Sequence, residues 1–351
     1  MTALGAIRVA RSHGSCRGCG QPGFAADRLL GLGGWLTTRA QRMACLAGIH
    51  DPFRKAEQLL SELAGWSVDA QTIRRRCHAA ASAARQGREG RDGAPASFAR
   101  AGGDRELHID AGKVNTPGGW RDVKVAAFAC RARARPATAA GYEQRDLPAP
   151  AARSVVAEVE AAEAFGQRCQ AEARRLGVPT AGLSVLGDGA EWIWNLAGRE
   201  FPEAAGVLDI YHAAEHLAAA AKRVFGEGTD EARGQAERGR DRLLADGYCG
   251  VTEWVGEVAG VLPAGGDGAA LGELLNYFCG HQERLGYALR LRRGQAIGSG
   301  LVEGTIKQRV NVRMKRSGAR WQAERVGPFV ELLALADSPE GSEHWAMTAQ
   351  G

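Results

Sequence analysis

Three acidic residues that are far apart in the chain stand where strands and helices are expected to begin or end. Asp110 lies in the strand-like segment ELHIDAGKV, Asp188 follows the run SVLG, and Glu303 lies near the start of a late helix in GSGLVEG. Each has a simple structural explanation, because Asp110 suits an edge strand, Asp188 could cap the next helix, and Glu303 suits the positive end of a helix dipole. Taken singly, none of them predicts a function.

The three carboxylates predict chemistry when they are considered together. Strand ends and a helix packed on one sheet can bring acidic side chains to one point, where like charges repel unless they share cations. Hard oxygen ligands suit Mg²⁺ or Mn²⁺. Two such ions activate a water or a 3′-hydroxyl for in-line attack on a phosphodiester and stabilise the leaving oxygen. Asp110, Asp188 and Glu303 therefore predict a nuclease or strand-transfer site.

The N-terminal part of the chain predicts a helical DNA-binding domain. Residues 36–84 contain three helical segments, of which the second begins after Pro52 and ends at Gly65. The second and third segments have helix-turn-helix proportions, and the third carries three consecutive arginines that would enter a groove of DNA. A plain helical bundle is the alternative. The arginines are Arg74, Arg75 and Arg76.

A catalytic α/β domain is expected after a linker at residues 85–105 that is rich in Gly and Arg. Its first part, residues 106–211, reads as two strands joined by the turn NTPGG, a long helix over 151–177, a buried strand that ends before Asp188, a helix and a short strand. This β-β-helix-β-helix-β order predicts a mixed sheet flanked by helices.

The rest of the chain reads as helical. Residues 212–297 are interpreted as a helical insertion, and residues 298–335 return to the core with the helix that carries Glu303, ahead of a tail at 336–351. Basic residues after Glu303 recur at helical spacing, which predicts a stripe that neutralises phosphates beside a scissile bond; a solvated helix face is the alternative. The basic residues are Lys307, Arg309, Arg313, Arg316 and Arg320.

Composition limits the classes to which the chain can belong. The 351 residues are 45% hydrophobic, with no apolar run long enough to cross a bilayer and no signal-peptide core, so we expect a cytoplasmic, nucleoid-associated protein without membrane contact. The net charge of +5 conceals basic regions at 1–100 and 286–325 around an acidic middle. This arrangement suits a protein that holds a polyanion with its ends and cations at its centre. Eight scattered cysteines form no disulfide framework and are expected to be free thiols.

Five segments resemble, in their order, successive blocks of bacterial insertion-sequence transposases of the ISKra type, within the Mutator-like group of DDE transposases. The segments are LHIDAGKV, GDGAEWIW, LDIYH, IGSGLVEG and NVRMKRSGARW, and the resemblance covers most of residues 16–330. It implies a ribonuclease-H-like core with a helical insertion ahead of the last acidic residue. It also implies that Asp110, Asp188 and Glu303 are the catalytic residues and bind Mg²⁺ or Mn²⁺.

Two further features of the resemblance concern the surroundings of that site. The Asp-x-x-His element of the family falls on Asp209 and His212, which implies a place beside the active site and contact of His212 with DNA near the cleaved bond. A zinc trio that also includes His216 is a weaker interpretation, and a strand-end aspartate with two half-buried histidines is the structural alternative. The family usually has glycine directly after the first catalytic aspartate, whereas this chain has Ala111 and then Gly112.

The first 35 residues resemble the remnant of a zinc ribbon. CRGCGQPGF matches the second half of such a ribbon and supplies Cys16 and Cys19, with His13 as a stretched third ligand. The first cysteine pair is absent, which indicates a truncated or misassigned start. Because a structural zinc ion normally needs four ligands, we do not expect zinc to be bound.

The sequence thus predicts a DDE transposase that cleaves the ends of its own element and joins the liberated 3′-hydroxyls to target DNA, as a homo-oligomer on that DNA. A ribonuclease-H-like nuclease or resolvase without strand transfer is the first alternative. A catalytically inactive remnant that only binds DNA is the second.

Overall fold

The computed structural model describes residues 1–8, 10, 12–20, 22–24, 35–90, 93–263, 265–338, 341 and 345. Two of the predicted segments, the zinc-ribbon remnant at 1–35 and the tail at 336–351, lie partly outside the described residues. Within the first of them, β1 (His13–Ser15) and β2 (Pro22–Phe24) form a small, exposed antiparallel pair.

A five-stranded mixed sheet forms the centre of the structure. Its strands are β3 (Asp104–Thr116), β4 (Gly119–Arg131), β5 (Ala152–Glu158), β6 (Leu183–Gly187) and β7 (Ala205–Leu208). The order across the sheet is β5-β4-β3-β6-β7, in which β3, β4 and β5 are antiparallel neighbours and β6 and β7 run parallel to β3. The predicted hairpin is confirmed, because Thr116 pairs with Gly119 across a two-residue turn.

Helices cover both faces of the sheet. In the described part of the chain before the sheet, these helices are α1 (Thr38–His50), α2 (Phe53–Ala64), α3 (Ala70–Glu89) and α4 (Ala96–Arg100). Two lie between its last three strands: α5 (Ala162–Leu176) and α6 (Glu191–Glu200). The others follow β7: α7 (Ile210–Phe225), α8 (Asp230–Gly260), α9 (Ala269–Cys279), α10 (Tyr287–Arg292), α11 (Gly300–Thr305), α12 (Val312–Met314) and α13 (Ala323–Ala336).

The predicted long helix over residues 151–177 is wrong in its first half, which forms the edge strand β5. The many alanines and glutamates of this segment favour a helix locally. However, Val155 and Val156 are adjacent β-branched residues that become buried on opposite faces of the sheet when β5 pairs with β4. Tertiary pairing therefore overrides local propensity, and α5 begins only at Ala162.

Alternate residues of the central strands face two separate hydrophobic clusters. Ala126 and Phe128 of β4 pack with α5, α6 and the helices that follow β7, whereas Val125 and Ala127 pack with α1, α2, α3 and α13. All four side chains are buried. Because both faces are covered, the middle of this strand is an apolar run rather than an alternating one.

The N-terminal helices are joined to the sheet through α3. This helix continues through residues 85–89, which were predicted to belong to the linker. Arg85 donates to Glu331 of α13 and to Glu158 of β5, and Arg88 lies 2.8 Å from Glu331. These pairs are largely buried, so the loss of one partner would leave an uncompensated charge. The ion pairs therefore fix α3 against both the sheet and α13.

The predicted insertion at residues 212–297 is helical where it is described. Helix α8 kinks at Gly247, whose φ of 58° lies in the left-handed region that glycine adopts. Helices α7, α8 and α9 pack together, and Trp254 of α8 is fully buried. Across the described residues, no helix is both long enough and apolar enough to cross a membrane.

Candidate active site

Three aspartates stand side by side at one end of the sheet. Asp110 of β3 follows Ile109, which pairs with Gly187 of β6. Asp188 directly follows Gly187, and Asp209, which directly follows β7, donates its N–H to the Gly187 carbonyl at 2.8 Å. The register of three parallel strands therefore brings these aspartates together, although they are distant in the sequence.

Backbone donors hold the first two aspartates at their turns. Asp110 accepts a hydrogen bond from the Ala111 N–H at 2.6 Å, and Asp188 accepts one from the Ala190 N–H at 2.9 Å. Asp188 thus closes the turn that leads into α6, which agrees in part with the capping role that the sequence left open. Both aspartates are half-buried and remain in contact with solvent.

Asp209 is buried and connects β7 with two helices. One of its oxygens accepts the His212 N–H at 2.8 Å and caps α7, and the other accepts the Ser299 N–H just before α11. The Ser299 hydroxyl donates to Glu303 at 2.6 Å, so two hydrogen bonds connect Asp209 to Glu303. Ser299 was not predicted to belong to the site, although its position four residues before Glu303 places the two side chains on one helix face.

Close packing brings the helix of Glu303 onto β3. After α11 the helix continues as a π-helical segment, Ile306–Asn311, before α12. A methyl group built on Gly112 of β3 would lie 3.0 Å from the side chain of Ile306 and 3.2 Å from that of Val310. Glu303 lies one turn earlier on the same helix, and π-helical turns are frequent at functional sites. Because residue 112 is glycine, the helix that carries Glu303 can pack closely against β3, and this packing determines where Glu303 lies.

Gly112→Ala is expected to lower the melting temperature and to reduce any activity of the site. The added methyl group must displace Ile306 or Val310, and overpacking of this kind costs about 1–3 kcal/mol. Gly198→Ala in α6 is the matched control, because Gly198 has open space around it and alanine is the better helix former. Thermal melts of the two variants test this packing, and an unchanged melting temperature of Gly112→Ala would contradict it.

The carboxylates act on one another electrostatically. Burial raises the pKa of Asp110 to about 6. The hydrogen bond from the Ala111 N–H opposes this increase, whereas the negative charges of Asp188, Glu303 and Asp209 add to it. The ionised form of Asp110 is therefore destabilised near neutral pH, because the surrounding groups do not compensate its charge.

The donor set of the site suits a hard divalent cation. Carboxylate oxygens are the ligands that Mg²⁺ and Mn²⁺ prefer, and a bound cation would compensate the unfavourable charge of Asp110. In the part of the chain that the structure describes, no three His, Cys, Asp or Glu side chains are grouped closely enough to hold a metal ion as they stand. Asp110, Asp188 and Glu303 reach solvent, and they would share a cation by turning away from their local donors.

The helical insertion adds aromatic side chains beside the carboxylates. The rings of His212 and His216 on α7 meet edge to face with centroids 5.0 Å apart, and Tyr277 of α9 stacks on His216. The two oxygens of Asp209 accept backbone N–H groups at the start of α7 and just before α11. Tyr277 was not predicted to lie at the site, because no spacing within the insertion indicates which of its residues face the sheet.

The predicted stripe of basic residues is divided in the structure. Lys307, Arg316 and Arg320 are exposed, whereas Arg309 and Arg313 are buried. The expectation of one exposed helix face is thus corrected for two reasons. Helix α12 ends before Arg316, and the helix face that carries the two buried arginines packs against the core.

The two buried arginines make contacts with distant parts of the chain. Arg313 donates to the carbonyls of Gly48 and Ile49 at the end of α1, at 2.8 Å each, and its guanidinium lies over three aromatic rings. Arg309 donates to Asp337 at 2.9 Å. Both side chains are therefore used for contacts within the chain, and Arg313 connects the N-terminal helices with α12.

The arginines of the N-terminal helices lie on an accessible surface. Arg74 and Arg75 of α3 are exposed and Arg76 is half-buried. Helices α1, α2 and α3 pack on one another, and the turn between α2 and α3 buries Trp66 and Val68. The structure therefore has a compact three-helix unit with basic side chains on its last helix, and DNA binding by this unit stays a prediction.

Cys16 and Cys19 lie in the exposed turn between β1 and β2. Hydrogen bonds from the backbone N–H groups of Cys19 and Gly18 lower the pKa of the Cys16 thiol. Among the described residues no third ligand joins the two cysteines, and the ring of His13 contacts Phe24 instead. All eight cysteines of the chain are free, as the sequence analysis predicted.

No protein-family model matches the chain, and no curated protein matches its sequence.

Proposed function

We propose that the chain is a DDE transposase with a ribonuclease-H-like catalytic core. The observation that carries this proposal is the meeting of Asp110 and Asp188 at two paired parallel strands, with Glu303 held nearby on a later helix. The helical insertion between the second and third of these residues gives further support, because the resemblance of the sequence implies that order. The proposed reaction is cleavage of insertion-sequence ends, followed by transfer of the 3′-hydroxyl ends to target DNA.

Asp110, Asp188 and Glu303 would hold Mg²⁺ or Mn²⁺. Two such cations supply the activation of a water or a 3′-hydroxyl and the stabilisation of the leaving oxygen. The chain itself supplies position: the sheet register fixes the two aspartates, and Asp209 acts through Ser299 on the start of the helix that carries Glu303. Glu303 is exposed, so this side of the site is open to a DNA strand.

Exposed basic residues that follow Glu303 in the chain would bind the phosphates that flank the scissile bond. Lys307 lies one turn after Glu303, and Arg316 and Arg320 follow in the segment between α12 and α13. Contacts of this kind release counterions, so binding should weaken steeply as salt is added. The exposed arginines of α3 would contact the element end, and more than one copy of the chain would assemble on the DNA.

The same carboxylates also suit a nuclease or resolvase without strand transfer, because both reactions use the same cations. Joining of a precut element end to a target separates this alternative from a transposase. Divalent-metal-dependent nicking separates both enzymes from an inactive DNA-binding remnant.

Arg74→Ala combined with Arg75→Ala is expected to weaken binding of an element-end duplex by roughly ten-fold and to reduce its salt dependence, because phosphate contacts are lost. Cleavage at saturating DNA should survive, because the carboxylates are unchanged. Gel-shift titrations at several salt concentrations measure both effects, with Arg233→Ala combined with Arg238→Ala on α8 as an equally charged control. If the α3 variant binds the duplex as the wild type does, α3 does not recognise the DNA, and the basic residues that follow Glu303 become the candidates for that role.

A further inference from the structure

A tyrosine of the helical insertion reaches the turn that carries Asp188. Tyr277 lies on α9, and its ring stacks on His216 of α7 with centroids 3.8 Å apart and an interplanar angle of 18°. The ring of His281 contacts it edge to face at 4.9 Å. These contacts hold the tyrosine ring in one orientation and so determine where its hydroxyl lies.

The Tyr277 hydroxyl lies directly against Gly189, the residue after Asp188. A methyl group built on Gly189 would lie 2.5 Å from the hydroxyl oxygen and 2.8 Å from the nearest ring carbon. Only glycine admits a tyrosine this closely. The insertion is therefore packed against the backbone of the Asp188 turn at this point.

The Tyr277 hydroxyl is buried and has no hydrogen-bond partner in the described part of the chain. Burial, and then the charges of Asp188 and Asp209, raise the pKa of Tyr277, so the hydroxyl keeps its proton and is a donor. A buried donor without an acceptor destabilises the folded state and calls for an explanation.

Asp188 has more free acceptor positions than Asp209 and directly precedes the glycine that the Tyr277 ring contacts. Asp209 already accepts two backbone N–H groups, one on each oxygen. Asp188 accepts the Ala190 N–H on one oxygen, and an ionised carboxylate has about four acceptor positions. The free acceptor positions of Asp188 therefore suit the Tyr277 hydroxyl, which lies against the next residue along the chain.

We propose that Tyr277 is a positioning residue of the candidate active site, whose hydroxyl donates a hydrogen bond to the Asp188 carboxylate when that carboxylate turns to hold a divalent cation. Carboxylates that bind metals are usually oriented by such a second donor, whose loss costs about 10–100-fold in metal affinity or activity. The insertion thereby completes the site as well as flanking it. This inference rests on the proposed function, because it requires Asp188 to hold a cation.

Tyr277→Phe keeps the ring and its stack on His216 and removes only the hydroxyl. In EDTA the variant should melt roughly 1–3 °C above the wild type, because an unsatisfied buried donor has been removed. Mn²⁺ should raise the melting temperature of the wild type by binding the folded state. In the variant this rise should require about ten-fold more Mn²⁺. Scanning calorimetry with Mn²⁺ titrations of both full-length proteins measures the two effects.

Tyr287→Phe is the matched control. The Tyr287 hydroxyl is buried and donates to the Leu208 carbonyl at 2.9 Å, so its loss should lower the melting temperature to the same extent with and without Mn²⁺. If Tyr277→Phe behaves like this control, or responds to Mn²⁺ as the wild type does, Tyr277 has a packing role only and the inference is overturned.

Asp188→Asn separates failure of the inference from failure of the proposed function. If Asp188→Asn abolishes the Mn²⁺ response while Tyr277→Phe retains it in full, the cation site stands and the role of Tyr277 falls. If the wild type itself shows neither a Mn²⁺ response nor Mn²⁺-dependent cleavage, the proposed function fails and the inference fails with it.

Discussion

Asp110→Asn is expected to make the protein more stable and inactive at the same time. The pKa of Asp110 is raised to about 6, so the folded state binds a proton more tightly than the unfolded state does. The stability that protonated Asp110 contributes is fully present below the pKa that Asp110 has in the unfolded chain, and it is lost as the pH rises through about 6. Asparagine carries no charge, so near pH 7.5 in EDTA the variant should gain roughly 1–3 kcal/mol and several degrees of melting temperature.

Thermal melts in EDTA from about pH 4 to about pH 8 test this expectation, because the gain should shrink as the wild-type carboxyl becomes protonated. Asp122→Asn is the control, since Asp122 is an exposed aspartate of β4 whose partner is the exposed Lys113. It should change the melting temperature little at any pH. A lower melting temperature of Asp110→Asn than of the wild type at pH 7.5 would contradict the electrostatic account of the site.

Glu303→Gln is expected to abolish cleavage and joining, by at least about a thousand-fold, and to leave affinity for an element-end duplex nearly unchanged. Glutamine keeps the size of the side chain and can still accept the hydrogen bond from Ser299, but it lacks the charge that binds a cation. Gel shifts beside nicking assays in Mg²⁺ and in Mn²⁺ measure the two effects separately.

Glu324→Gln is the matched control for this change, because Glu324 is an exposed acid in the first turn of α13. It should cleave like the wild type. Full cleavage by Glu303→Gln would remove Glu303 from the mechanism and leave the two aspartates without their third ligand.

The parts of the fold that could be predicted are those with local signals. Turn residues between β-branched runs indicated the β3–β4 hairpin, and the helical pattern of residues 212–297 indicated the insertion. The strand β5 could not be predicted, because Val155 and Val156 gain their burial only from pairing with β4. For the same reason the exposed stripe was wrong: nothing local shows that Arg313 meets the carbonyls at the end of α1.

The acidic residues of the candidate site could be predicted from the sequence, whereas the residues that position them could not. Asp110 and Asp188 stand at positions where strands are recognisable, so their neighbourhood follows from strand pairing. Gly112 and Ser299 position Glu303 through contacts with the helix that packs on the sheet after the insertion. Tyr277 lies within the insertion and contacts the turn that follows Asp188. Such contacts depend on tertiary packing, which the spacing of residues in one sequence does not encode.

Strand transfer in vitro tests the central claim most directly. The wild-type protein is incubated with Mg²⁺ or Mn²⁺, a supercoiled plasmid, and a precut duplex from the end of the DNA element that flanks its coding sequence. We expect covalent joining of the duplex 3′-hydroxyl to plasmid DNA, which should be absent in EDTA and absent with Glu303→Gln. If the wild type binds the duplex yet yields neither joined nor nicked DNA with either metal, the chain is not a DDE transposase.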